Sequence, residues 1–144
     1  MRRIAMVVIA VCCLMVLAVS VHAESEIVYQ TIAMEAAGES DEGQAMVASV
    51  ILNRAKKSKK TLEAVCLQPK QFSCWNSRKW AQAWLSLHYD AQARYRAVKA
   101  LETARNANLG HATHYHTTNI KPYWSKGHKP SVVVGRHAFY EGID

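Results

Sequence analysis

Proline and glycine are scarce in this chain: three Pro and six Gly among 144 residues, with no internal repeat. With an apolar fraction of 50%, that scarcity excludes collagen-like, low-complexity and disordered classes. The length suits one domain and is too short for two with separate cores. Acidic side chains are the rarer charge, 11 against 18 Lys and Arg, for a net +7. No helical segment carries a regular basic stripe, and the densest Lys cluster is confined to Lys56–Lys60, which argues against a nucleic-acid partner. What is abundant is large aromatic surface, four Trp and six Tyr, as a packed globule requires.

Residues 1–23 contain no acid at all. They hold Arg2 and Arg3, an 18-residue apolar run from Ile4 to Val21, and small residues at the two positions a signal peptidase reads in Val21-His22-Ala23. The expectation is an export segment over 1–23 and a mature domain over 24–144, in the periplasm, cell wall or extracellular space. The run is long enough to span a bilayer, so an uncleaved anchor is the second reading, and the only one that brings a membrane contact. Without the segment 16 basic and 11 acidic side chains remain, a net +5. That charge suits an anionic polymer, or serves solubility alone.

Cys12 and Cys13 lie inside the apolar run, and neither follows a small residue as a lipid-attachment cysteine does. Cys66 and Cys74 lie eight apart, and an oxidising compartment predicts a disulfide between them. Its chain-entropy contribution would be about 2.5 kcal/mol. Two free buried thiols or half of a metal site are the alternatives, the latter without the paired spacing zinc needs.

Helical spacing of Ile27, Val28, Ile32 and Met34 predicts a helix over 25–38, ended by Gly38. Ser40 offers an N-cap to a second helix, with Asp41 and Glu42 in its first turn and apolar residues on most sides, which makes it central. Lys56–Lys60 reads as a solvated loop, or as a contact for an anionic polymer. Thr61 caps a short helix to about 68, Pro69 ends it, and 71–76 form a compact aromatic loop suited to a binding wall. Residues 77–108 are helical in character, with Trp80, Trp84 and Leu87 on one face and Tyr95, Val98 and Leu101 on another; both stripes read as core before ligand platform. After Gly110 the period changes, and 114–118 and 131–135 read as an antiparallel pair with a long connection. The fold class is α+β, mainly helical, with a small C-terminal antiparallel β-element.

Glu35 sits among Ile32, Ala33, Met34, Ala36 and Ala37. A carboxyl in apolar surroundings resists ionisation and can serve as a general acid for glycosidic cleavage; the alternative is a surface Glu paired with a Lys. Glu39, beyond the helix-ending Gly38, is assigned a structural role in bonding backbone N–H groups at the start of the next helix. His111, His114, His116 and His137 form the other constellation. His114 and His116 would share a strand face and could share a metal. The spacing is not that of a zinc-protease helix, and histidines that hydrogen-bond or stack in a groove are the simpler reading.

Five blocks occur in order: Glu35-Ala36-Ala37-Gly38-Glu39, Glu42 through Arg54, Gln71-Phe72-Ser73-Cys74-Trp75, Ala112-Thr113-His114-Tyr115 and Gly135 through Tyr140. Together they resemble the SleB/CwlJ-type cell-wall hydrolase family over about 27–140. The resemblance implies a helix-rich domain with a small β-element, related in layout to lysozyme and lytic transglycosylases, that cleaves peptidoglycan; acid–base chemistry of this kind needs no cofactor or metal, and a monomer is expected. The resemblance also implies Glu35 as the catalytic acid and Gln71, Trp75, His114 and Tyr115 as substrate contacts. Met34, Ala37 and His116 stand where family members often have Gly, Arg and Tyr, leaving the catalytic position in place. No added peptidoglycan-binding domain is present, so a spore role is not implied. The rivals are a zinc-dependent muramoyl amidase built on the four histidines and a peptidoglycan-binding protein without turnover.

Overall fold

The computed structural model describes residues 26–76 and 90–143. The proposed leader and the Trp80, Trp84 and Leu87 stripe lie outside the described residues. Helix α1 (26–35) runs into a turn over 36–38, where Gly38 takes φ +75°. Helix α2 (Asp41–Ser58) follows, capped as its sequence predicts: the Ser40 side chain accepts from the Gly43 N–H, with Asp41 and Glu42 in the first turn. Every residue from Gly43 to Ile51 is buried, so α2 is the central helix. It runs on through Lys56 and Lys57, expected in a loop, and ends at a left-handed Lys59. Lysine is a good helix former, and cations in a last turn complement the helix dipole.

Helix α3 (Leu62–Cys66) is capped by Thr61, and a single 3₁₀ turn covers Ser73–Trp75. Helix α4 (Ala91–Asn106) packs on α2. Its buried face keeps Leu101 of the expected stripe but not Tyr95, which is 62% exposed; Ala97 and Ala100 are buried beside Leu101, with Ala93 and Ala104 partly buried. Alanines at this spacing let two helix backbones approach closely, a signal that a search for large apolar side chains overlooks.

Among the described residues the sheet has three strands, β1 (His114–Thr117), β2 (Val132–Val134) and β3 (His137–Tyr140), in the order β1-β3-β2. The expected β1–β2 pairing is corrected. Each pairs antiparallel with β3, Tyr115 opposite Phe139 and Val133 opposite Ala138. The two-residue link Gly135-Arg136, with Gly135 at φ +56°, is a hairpin turn between β2 and β3. The main core lies between α1, α2, α3 and α4, around Val28, Ile32, Ile51, Phe72 and Leu101; a second cluster joins α2 to the sheet through Val47, Val50 and Phe139. Tyr115 packs against both.

A Cβ on Gly135 would collide with Glu39 Oε2. Gly135→Ala combines that clash with a left-handed φ and is expected to lower stability by about 1–3 kcal/mol, measured as a fall in the urea midpoint at unchanged m.

Candidate active site

Glu35 is the last helical residue of α1, one turn beyond Thr31. This places both side chains against the Ser73–Trp75 turn. Thr31 Oγ1 accepts from the Trp75 indole N–H at 2.9 Å; one turn on, Glu35 Oε1 accepts from the Cys74 backbone N–H at 2.9 Å and from the Ser73 hydroxyl at 3.2 Å. From the sheet, the Tyr115 hydroxyl donates to Glu35 Oε2 at 2.9 Å. Burial, reinforced by the charge and hydrogen bond of Glu35, holds the Tyr115 phenol well above its usual pKa, so it keeps the proton it donates. The expected apolar surroundings are therefore replaced by a carboxylate held from two sides by polar donors.

Two neighbouring residues of α2 aim the strand that carries Tyr115. Asn53 Nδ2 donates to the carbonyls of Gly110 and Ala112, at 3.2 and 2.9 Å, and Arg54 Nε to the carbonyl of Thr113 at 2.6 Å. The Arg54 guanidinium lies over the Phe72 ring, 5.0 Å from its centroid. Burial pulls its pKa down, and Tyr115 and Glu35 pull it back up; an arginine stays charged under such opposing shifts.

Glu39 does different work. It is 5% exposed, and accepts from the Arg136 backbone N–H at 3.1 Å and from Arg136 Nε at 2.7 Å. Its structural role stands, but the N–H it takes belongs to the hairpin turn, not to the next helix. Burial pushes its carboxyl up, yet the hydrogen bonds from Arg136 and the charges of His137 and Arg136 leave it below its ordinary value.

Glu35 lies where two open grooves meet. The larger, about 380 Å³, is lined by Met34, Arg54, Lys70, Gln71, Asn76 and Tyr115 among others. The smaller, about 330 Å³, is lined by Glu39, Thr117, Thr118, Asn119, Arg136 and His137 beside Glu35. Of the expected contacts, Gln71 and Tyr115 line the larger groove. Trp75 does not; its N–H is committed to Thr31, and it packs on the core. His114 also points elsewhere, because successive strand residues face opposite sides. It tilts against Trp124 with centroids 5.1 Å apart, while His116 bonds the Tyr140 hydroxyl at 2.8 Å and stacks on its ring. His111 is exposed, its backbone N–H donating to Glu141 at 2.7 Å. Among the described residues no three His, Cys, Asp or Glu converge as metal ligands. The sequence reading gave no individual role to Ser73, Asn53 and Arg54, although all three lie within the quoted blocks.

Cys66 and Cys74 are free, against the expected disulfide. Cys66 is buried and its thiol is pushed up to about 11, with Thr31 as its hydrogen-bond partner. Cys74 is raised by burial and then by the charge and hydrogen bond of Glu35. Each thiol thus faces a different partner.

The Cell Wall Hydrolase family model matches residues 38–140. The chain belongs to the cell wall hydrolase family. The match begins after Glu35, so the position of that side chain rests on the geometry above. No curated protein matches the chain. Among solved structures it is similar to the catalytic domain of the germination-specific lytic transglycosylase SleB from Bacillus anthracis, with 24% identity and a TM-score of 0.64 over 82% of this chain and 93% of that one. The catalytic domain of the Bacillus cereus SleB protein gives the same identity and TM-score, with 89% of that chain covered. These likenesses establish the fold of this cell wall hydrolase, a helical domain with a small antiparallel sheet.

Burial lowers the pKa of His137 below 6.5, partly opposed by Glu39, and burial also lowers His114. The unfolded chain then binds those protons more tightly, so stability is lost as pH falls below 6.5. Glu39 sits below its usual 4.5, so its contribution is present above 4.5 and lost as pH falls through the folded value. Thermal unfolding from pH 8 to pH 3 is expected to show Tm falling in two stages, and His137→Gln to shrink both: the upper by removing the buried imidazole, the lower because the His137 charge helps hold Glu39 down.

Proposed function

We propose that this cell wall hydrolase cleaves the glycan strand of peptidoglycan between N-acetylmuramic acid and N-acetylglucosamine, as a lytic transglycosylase with Glu35 acting first as acid and then as base. One observation carries the reading: Glu35 is the carboxylate at the junction of both grooves, while its neighbour Glu39 is occupied by Arg136. A glycosidase with two working carboxylates needs both free for acid and nucleophile or base. With one, acid and base are the same group, and a nucleophile already held by the substrate, its own 6-hydroxyl, completes the reaction. The description of the Bacillus anthracis relative as a lytic transglycosylase supports the same chemistry.

In this mechanism the protonated Glu35 donates to the oxygen linking the two sugars, the bond to muramic C1 breaks, and an oxocarbenium-like sugar develops. The resulting carboxylate takes the proton of the sugar's own 6-hydroxyl, whose oxygen closes on C1 to give a 1,6-anhydro end. The enzyme returns to its protonated form. Oε1 accepts from both the Ser73 hydroxyl and the Cys74 N–H and Oε2 from Tyr115, which leaves Oε2 more room for the transferable proton. Ser73 and Tyr115 fix the carboxylate plane, and Gln71 is placed to bond acetamido groups along the larger groove. No step calls for a metal or cofactor. Residues 1–23 fit delivery outside the cytoplasm, where this substrate lies, with the protein working as a monomer.

Mass spectrometry of fragments released from purified peptidoglycan tests the reaction. Anhydro-muramyl ends are expected from the wild type and none from Glu35→Gln, which keeps the shape and loses the titrating proton. Reducing muramic ends would replace the 6-hydroxyl by water; chelator-sensitive release of peptides would point to an amidase, and binding without fragments to a non-catalytic protein. Tyr115→Phe removes one charge-assisted hydrogen bond and is expected to lower kcat about ten-fold with little change in glycan binding, measured by initial rates and a pull-down on insoluble wall.

A further inference from the structure

The two grooves differ in how their cations are matched. In the smaller, the Arg136 guanidinium is paired with buried Glu39 at 2.7 Å. In the larger, half-buried Arg54 donates to the Thr113 carbonyl and lies over the Phe72 face, with its Nη1 left without a partner among the described residues, and Glu35 is the acid in the lining. Lys70 completes that lining, exposed. No ion pair to it occurs among the described residues, and segment 77–89 contains no Asp or Glu. Its backbone is left-handed, φ +64°, in a loop braced by Lys70 N–H to Asn76 Oδ1 and Asn76 Nδ2 to the Phe72 carbonyl. That conformation favours glycine. An exposed lysine there returns no core packing, and its ammonium faces the groove lining.

We propose that the larger groove takes the peptide-bearing side of a muramoyl unit, and that the Lys70 ammonium selects substrates by the carboxylates of that peptide. The inference rests on the glycan-cleaving reading above. N-acetylated sugars carry no charge, and in peptidoglycan the lactyl carboxyl is tied up in the amide to the peptide. The anionic groups within reach of a groove-side cation are therefore the free carboxylates of the peptide. A hydrated point charge on a flexible stem suits such mobile partners better than a planar guanidinium does.

The test compares native peptidoglycan with the same material after its free carboxylates are converted to amides by carbodiimide and ammonia. Initial rates are taken at limiting and at saturating substrate in low salt. Lys70→Gln is expected to lose about three-fold to five-fold at limiting native substrate, with the saturating rate unchanged and no loss on the amidated wall. Lys70→Arg should retain most of the difference between the two substrates. Lys70→Gly should match Lys70→Gln while unfolding no earlier than the wild type, since glycine relieves the backbone. Equal losses on both substrates, or none on native wall, overturn the proposal while glycan cleavage by the wild type stands. A wild type that releases no glycan fragment from either substrate overturns the parent reading and this proposal with it.

Discussion

A carboxylate buried at the corner between α1 and α2 has to be neutralised where it lies, and the remaining geometry follows from how Glu39 is satisfied. Removing a charge from water costs several kcal/mol unless hydrogen bonds and an opposite charge replace the lost solvation. Arg136 supplies both, from its side chain and its backbone N–H, and its Nη2 also reaches the Ala37 carbonyl at 2.9 Å. From α4, Arg96 donates to the Glu39 carbonyl at 2.8 Å. The corner is thereby tied to the β2–β3 turn and to α4 at once. Gly38 and Gly135 provide the clearance: side chains there would press on Arg136 and on Glu39.

Fixing that turn fixes β3, and β3 carries β1 beside it, Tyr115 opposite Phe139. Asn53 and Arg54 hold the other end of β1 by its preceding carbonyls. Tyr115 is thus positioned from both ends of its strand and meets Glu35 from the side opposite the Ser73–Trp75 turn. The two glutamates, four residues apart, divide the work. Glu39 assembles the frame and gives up its lone pairs to it, while Glu35 stands open to both grooves. Under the proposed function Glu35 is the single working carboxylate between two clefts, and the sugar supplies its own nucleophile.

The sequence was most legible where local chemistry decides. Ser40 and Thr61 cap their helices because a hydroxyl there meets an orphan N–H whatever the rest of the chain does. Glu35 stood out by its place at the end of an apolar helix, and the order of the five blocks indicated the family. The expected sheet was less accurate, because the run Val132–Val134 is β-branched and conspicuous whereas His137–Tyr140 is not, yet the latter is the central strand. Large aromatic side chains also misled. Tyr95 is exposed and Trp75 is committed to Thr31, while the buried face of α4 is Leu101 with a row of alanines.

The sequence by itself determined the helix starts, the break at Gly38, the buried character of α2 and the family, since each depends on residues close in the chain or on their order along it. Only the tertiary structure decided what surrounds Glu35. Its donors come from positions 73, 74 and 115, and no local pattern encodes a distance between segments so far apart. The same holds for the two thiols, which sequence spacing joins and the fold directs to Thr31 and Glu35, and for His114 and Tyr115, adjacent in the chain yet on opposite faces of the sheet. Which neighbour a side chain meets is a property of packing; which helix it can cap or end is a property of the chain.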